Sequence, residues 1–282
     1  MADSKNKAKF SKEMEKKEET VLFGKDLTFA ASEAYRLMRT SLIFSLPGNE
    51  RKCKVVGITS ANAGEGKSTT ALNLSYMLAE AHHQTLLIEA DMRLPTISKR
   101  LGINLSPGLS NVLVGLGGKN AVQASGIEER LRVIAAGDIP PNPSELLGSV
   151  NMKKLIEALS STVDFIVIDL PPINEVADAL IVSQYVDGIV MVVRQNYASR
   201  RGLSDAMRQL EHVNAKVLGF VMSASMTGLK GGYKKYKYKK YGRYGKYGRR
   251  YGYGYGYGYR SHSHTNNSSS ASNSSGTEKE SK

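Results

Sequence analysis

Cysteine is almost missing from this chain: Cys53 is the only one in 282 residues, so no disulfide can close within it, and the composition suits a reducing cytoplasm. Long apolar runs are missing too. The longest, FIVI (165–168) and GIVMVV (188–193), fall far short of the roughly 20 residues that span a bilayer. The opening MADSKNKAKFSKEMEKKEE has no apolar core of the kind a signal peptide needs. A cytoplasmic chain is expected, soluble unless something else tethers it. His82, His83, His262 and His264 lack the spacing of a metal-ligand framework, so no zinc site is expected. Acidic residues are absent from one stretch only: Lys230 to Arg260 holds 11 Lys/Arg and no Asp or Glu. Of the net charge of +13, residues 1–229 therefore carry only +2. The charge does not describe a nucleic-acid-binding fold; any basic-partner argument concerns the tail alone.

Composition divides the chain into three zones. Residues 1–29, rich in Lys and Glu, read as a flexible leader, and 230–282 as a disordered tail with too little aliphatic surface to offset the entropy of ordering. Between them, residues 30–229 alternate short apolar runs with helical patterns. Strands are expected at 54–59, 85–90, 132–136, 164–169, 188–193 and 215–222, and helices at 67–81, 143–160, 176–185 and 199–213. The strand runs are nearly continuous in apolar character rather than alternating, which suits strands buried on both faces. The expected fold class is α/β: a mostly parallel, doubly wound sheet of the P-loop NTPase kind, with helices on both faces and ligands bound beyond the carboxyl ends of the strands.

The motifs fall at those ends. Ala61 to Ser68 (ANAGEGKS) follows the first strand and matches P-loop spacing, with Ala61 in place of the usual first Gly. Gly64 and Gly66 let backbone N–H groups turn inward around phosphates, at a helix N-terminus that favours anions. Ala63, Gly64, Glu65, Gly66, Lys67, Ser68 and Thr69 are the expected ATP-binding residues. Lys67 brings charge to the β/γ-phosphates and Ser68 a hydroxyl ligand for Mg²⁺. A glycine turn that merely caps a helix is the bland alternative, and the strand–loop–helix context opposes it. Asp169 ends the strand DFIVID, and Asp91 follows TLLIEA; both suit a metal role. Asp91 also suits the role of proton acceptor, and Arg93 that of a cation for transition-state charge. Alone, Asp91 could be an ordinary turn aspartate; beside the P-loop and Asp169 it gains meaning.

Eleven of 15 tyrosines crowd the tail: Tyr233, Tyr236, Tyr238, Tyr241, Tyr244, Tyr247, Tyr251, Tyr253, Tyr255, Tyr257 and Tyr259. Glycine spacing would let many hydroxyls visit one site. Each phosphate adds about −1.5 to −2 charge, so about six modified tyrosines would cancel the tail's positive charge. Binding of single-stranded nucleic acid, condensation through aromatic contacts and attraction to anionic membranes are rival readings of the same tract. Glu33, Arg36 and Arg39 form a stripe on a helix expected around 32–45; spacing alone would make it a solvated charged face.

These residues together resemble one family, the bacterial tyrosine kinases of capsular and exopolysaccharide synthesis in their separate-chain cytoplasmic form. ANAGEGKST resembles the family's Walker A, LLIEADMR its Walker A′, FIVIDLPP its Walker B, and GDIPPNPSELL (137–147) its proline-bearing turn. SEAYRLMRTSLIFS (32–45) resembles its Glu-x-x-Arg-x-x-Arg helix. Glu89 stands where Walker A′ usually has Asp, and Ala63 where a proline is frequent. The resemblance implies transfer of phosphate from Mg-ATP to tyrosine, and autophosphorylation of the tail in trans within a homo-oligomeric ring that uses Glu33, Arg36 and Arg39. It also implies a separate transmembrane activator, a tyrosine phosphatase counterpart and control of polysaccharide export. The alternative is a nucleotide-switched scaffold ATPase of the partitioning and division-site type with a basic tail. That group carries a signature lysine where this chain has Asn62.

Overall fold

Alternate residues along each central strand go to opposite faces of the sheet, and both faces are apolar, so the strands read as continuous hydrophobic runs. In β5 (Phe165–Asp169), Phe165 and Val167 enter one core while Ile166 and Ile168 enter the other. The same split places Val56 and Ile58 of β1 (Lys54–Ser60) with the first core and Val55 with the second. The computed structural model describes residues 23–46 and 53–224. The sequence through residue 22 and the tail beyond residue 224, with all eleven clustered tyrosines, lie outside the described residues.

In chain order the remaining strands are β2 (Thr85–Glu89), β3 (Val122–Ala124), β4 (Leu131–Ile134), β6 (Gly188–Arg194) and β7 (Val217–Ser223). The helices are α1 (Phe29–Ser45), α2 (Lys67–Glu80), α3 (Ile97–Leu101), α4 (Leu109–Leu113), α5 (Pro143–Leu147), α6 (Val150–Ser160), α7 (Asp178–Val182) and α8 (Arg200–His212). The sheet runs β3-β4-β2-β5-β1-β6-β7, parallel throughout except for β3, which pairs antiparallel with β4 at the edge. The six expected strands are present, and β3 is an addition: three residues on an exposed edge give no apolar run to read. The helix expected at 143–160 is two helices, because the chain turns extended at Ser149 (φ −73°, ψ 157°) after Gly148.

One face is covered by α2 and α1, the other by α5, α6, α7 and α8. Helix α2 is buried at Ser68 and from Thr70 through Ala79, the signature of a helix enclosed on nearly all sides. Helix α1 starts at Thr28, whose side chain accepts from the Ala31 N–H, and lies over α2 with only Leu42 fully buried. At the centre, β1 has β5 on one side and β6 on the other, so the loop leaving β1 emerges beside the end of β5. Glu89 and Asp169 are direct partners across β2 and β5, which brings both acidic strand ends to that loop.

Candidate active site

The loop from Ala61 to Gly66 joins β1 to α2. Gly64 (φ +76°) and Gly66 (φ +94°) occupy the left-handed region that side-chain-bearing residues avoid, so the two glycines permit the turn. Between them Glu65 is fully buried, and its Oε1 accepts from the backbone N–H and side-chain amide of Asn62 at 3.1 and 3.2 Å. The loop is also held from outside. Arg194 Nη1 donates to the Gly64 carbonyl at 2.9 Å, Ser223 Oγ to the Glu65 carbonyl at 2.6 Å, and the Ala63 N–H donates to Glu175 Oε1 at 2.7 Å. Tyr197 closes over Gly64, where an added Cβ would lie 3.2 Å from its hydroxyl.

Three of the expected site residues, Lys67, Asp91 and Asp169, meet at the base of the loop. Lys67 Nζ contacts Asp91 Oδ2 at 2.7 Å in a nearly buried ion pair. Burial alone would lower the Lys67 pKa, but Asp169, Asp91 and Glu89 outweigh it and hold the ammonium above its ordinary value. Asp169 is enclosed behind the pair. Burial pushes its carboxyl up to about 7; Glu89 and Asp91 add to the rise, and Lys67 opposes it. Neither Asp169 oxygen has a hydrogen-bond partner; the Ser68 hydroxyl lies beside it without closing a bond of good geometry.

Two buried, unpartnered carboxylate oxygens beside a serine hydroxyl at a phosphate loop are a hard-oxygen donor set that fits Mg²⁺. Among the described residues no group of three or more His, Cys, Asp or Glu encloses a metal by itself.

Of the residues expected from sequence, Ala63, Gly64, Gly66, Lys67, Ser68, Thr69, Asp91 and Arg93 line a single cleft. Glu65 turns away from it to brace the loop. Arg93 is at the cleft but committed sideways: Nε contacts the fully buried Asp178 at 3.1 Å and Nη2 the Ser144 hydroxyl at 3.2 Å, while Ser144 in turn donates to Asp178. Glu89 does not face the cleft's lysine as a ligand. Its Oε1 accepts from the N–H groups of Thr96 and of Ile97 (2.6 Å), and Oε2 from Ala136 at 3.4 Å. Burial raises the Glu89 carboxyl while these amides pull it down. Glu33, Arg36 and Arg39 are not at the site: Arg36 contacts Glu33 and Glu80, and Arg39 donates to the Met77 carbonyl, at the far end of α2 and roughly 15–20 Å of helix away from the loop. Arg100, Glu175, Arg194 and Ser223 were not marked by any local pattern, since each reaches the loop from a distant part of the chain.

A P-loop with a buried lysine–aspartate pair and an unpartnered strand-end aspartate, at the centre of a mostly parallel sheet, defines a nucleotide-binding P-loop protein. Comparison with known proteins narrows this. The AAA domain family matches residues 53–220. Tyrosine-protein kinase YwqD of Bacillus subtilis (strain 168) is 40% identical over 193 residues, covering 68% of this chain and 80% of that one. Tyrosine-protein kinase CpsD of Streptococcus agalactiae is 37% identical over 192 residues, covering 68% and 82%. Among solved structures, the kinase domain of Escherichia coli tyrosine kinase ETK superposes with a TM-score of 0.64 at 31% identity, covering 72% of this chain and 80% of that one. The chain belongs to the bacterial tyrosine-protein kinases.

Proposed function

We propose that this kinase phosphorylates tyrosines of its own C-terminal cluster, Tyr233 to Tyr259, in trans between copies of the chain. The observation that carries this reading is the Lys67–Asp91 pair standing against buried Asp169. The β- and γ-phosphates of ATP draw Lys67 from Asp91 and share its charge, while the loop's N–H groups and the start of α2 hold the β-phosphate. Asp91 is then free to accept a proton. A phenol, with a pKa of about 10, is a weak nucleophile at neutral pH and needs such a base. Its oxygen bonds to the γ-phosphorus as its proton passes to Asp91; the bond to the β–γ bridging oxygen breaks, and ADP leaves with that electron pair. Asp169 and Ser68 would hold Mg²⁺, which would supply neutralisation of the phosphate charge.

The tail's composition supports the choice of substrate: 11 tyrosines among Lys, Arg and Gly, with no acidic residue. Multiple phosphates would turn a basic arm neutral or acidic and release an anionic partner. Among the described residues no helix is long and apolar enough to cross a membrane, so a separate transmembrane activator of polysaccharide export is the proposed anchor at the inner face of the membrane. A ring through the Glu33–Arg39 stripe, and a counteracting tyrosine phosphatase, complete the reading. The test is mass-spectrometric mapping of phosphotyrosine after incubation with Mg-ATP, alongside Lys67→Ala. Phosphate on the cluster in the wild type and none in the variant is expected. ATP hydrolysis with an unmodified tail, even beside an activator's cytoplasmic segment, would favour a nucleotide-switched scaffold instead.

A further inference from the structure

Arg100 lines the same cleft as Lys67 and Thr69. It sits on α3, and its Nη1 donates to Thr69 Oγ1 at 2.8 Å. Among the described residues no carboxylate comes within ion-pair distance of it. A guanidinium presents five N–H donors in a planar fork and keeps its charge at any relevant pH. One bond to a neutral hydroxyl leaves most of that fork and all of that charge uncompensated, beside a loop shaped for anions.

The placement of Arg100 is built, not incidental. Buried Glu89 holds the first turn of α3 by accepting from the Thr96 and Ile97 N–H groups, and the Ile97 side chain is fully buried in the core beneath α2. Three residues on from Ile97, Arg100 reaches Thr69 on the first turn of α2. The acidic residue at the end of β2 thus acts on the cleft through a helix rather than through its own oxygens. The Glu89 carboxylate reaches amides seven and eight residues ahead.

We propose that Arg100 is a phosphate ligand of the bound nucleotide, contacting the α- and β-phosphates, and that Glu89 is the positioning residue that sets α3 for it. The inference rests on the reading that the cleft binds ATP. Lys67 and its partner Asp91 mark the γ-phosphate side; Thr69 is two residues further along α2, so a cation seated on Thr69 meets the phosphates that ADP retains.

The test is calorimetric titration of the full-length chain with ADP and with ATP, in the presence of Mg²⁺, for Arg100→Gln, Arg100→Lys, Glu89→Gln and the neighbouring Lys99→Gln. Loss of one charge-assisted contact is worth about tenfold or more in affinity. Arg100→Gln is expected to weaken ADP and ATP alike by about that factor, Arg100→Lys less, and Lys99→Gln not measurably. Glu89→Gln is expected to weaken ADP on its own and to add nothing once Arg100 is Gln, because both act on one contact. Unchanged ADP affinity in Arg100→Gln, an equal loss in Lys99→Gln, a loss confined to ATP, or additive losses with Glu89→Gln would each overturn the assignment. A wild-type chain that takes up neither nucleotide would overturn the ATP reading itself. A wild type that binds while Arg100→Gln binds equally well would remove this inference alone.

Discussion

Lys67 and Asp91 are joined by a 2.7 Å ion pair, with the ammonium also under the charge of Asp169. The two jobs proposed for the site, holding phosphate and accepting a proton, would therefore begin from one shared contact. Asp91→Asn separates them. It leaves Lys67 charged beside Asp169, so ATP affinity is expected to stay within about threefold of wild type or to tighten, because the cation no longer has to leave an anion. Phosphotyrosine formation is expected to fall by about 10²–10⁴, the range for a lost general base. Single-turnover assays alongside nucleotide titration check both halves. Loss of ATP binding equal to that of Lys67→Ala would make Asp91 an organiser of the loop instead of a base.

The strands and the phosphate loop were legible in the sequence because their causes are local. Continuous apolar runs mark strands covered on both faces, and Gly64 and Gly66 mark left-handed turns at fixed spacing. The bracing of the loop was not legible: Arg194 acts on Gly64 from 130 residues away, Ser223 on Glu65 from 158, and no pattern within a strand announces such a contact. Arg100 was hidden for a similar reason, since α3 is a five-residue helix whose position depends on Glu89 and not on its own periodicity. Asp169 stood out because it ends a strand and Asp91 because it follows one; Arg93 stood out beside Asp91, but its ties to Asp178 and Ser144 come from helices distant in sequence.

Glu89 is expected to matter for stability as well as for nucleotide. Its carboxylate satisfies the buried N–H of Ile97 and that of Thr96, which no intrahelical partner can reach at a helix start. Glu89→Ala would strand both donors and is expected to cost about 2–4 kcal/mol in urea unfolding, whereas Glu89→Gln, which keeps an acceptor oxygen, is expected to cost less than half of that. Equal losses would mean that side-chain volume, not hydrogen bonding, is the contribution of this position.

The charged stripe on α1 divides into different jobs. Arg39 donates to the Met77 carbonyl at 2.8 Å, pinning α1 to α2, while Arg36 pairs near the surface with Glu33 and, more loosely, with Glu80. Arg39→Ala is therefore expected to lower the melting temperature by about 2–4 °C, equivalent to about 1 kcal/mol in a domain of this size. Arg36→Gln should leave melting nearly unchanged but weaken assembly, read as mass by light scattering, because exposed pairs contribute little to folding. If Arg36→Gln keeps its assembly state, the proposed ring does not use this stripe.

Asp169 makes the protein's stability run opposite to that of a salt-bridged aspartate. Its folded pKa of about 7 lies above the unfolded value near 3.8, so between those limits the folded state binds the extra proton. The stability this contributes is complete below about pH 4 and is lost as pH rises through about 7, because the unpartnered carboxylate must then be ionised in a buried place. Without metal, Asp169→Asn is expected to melt higher than wild type at pH 8, by several degrees given that about 1 kcal/mol shifts such a domain by about 2–4 °C, and to match it at pH 5. Adding Mg²⁺ and ADP should raise the wild type at pH 8, since the ion binds the ionised folded form, and raise the variant far less. Thermal unfolding at the two pH values, with and without the ligands, measures all of these. A wild type that melts as high as Asp169→Asn at pH 8 without metal would mean that water or a shifted side chain solvates this carboxylate, and that its two free oxygens are not reserved for a cation.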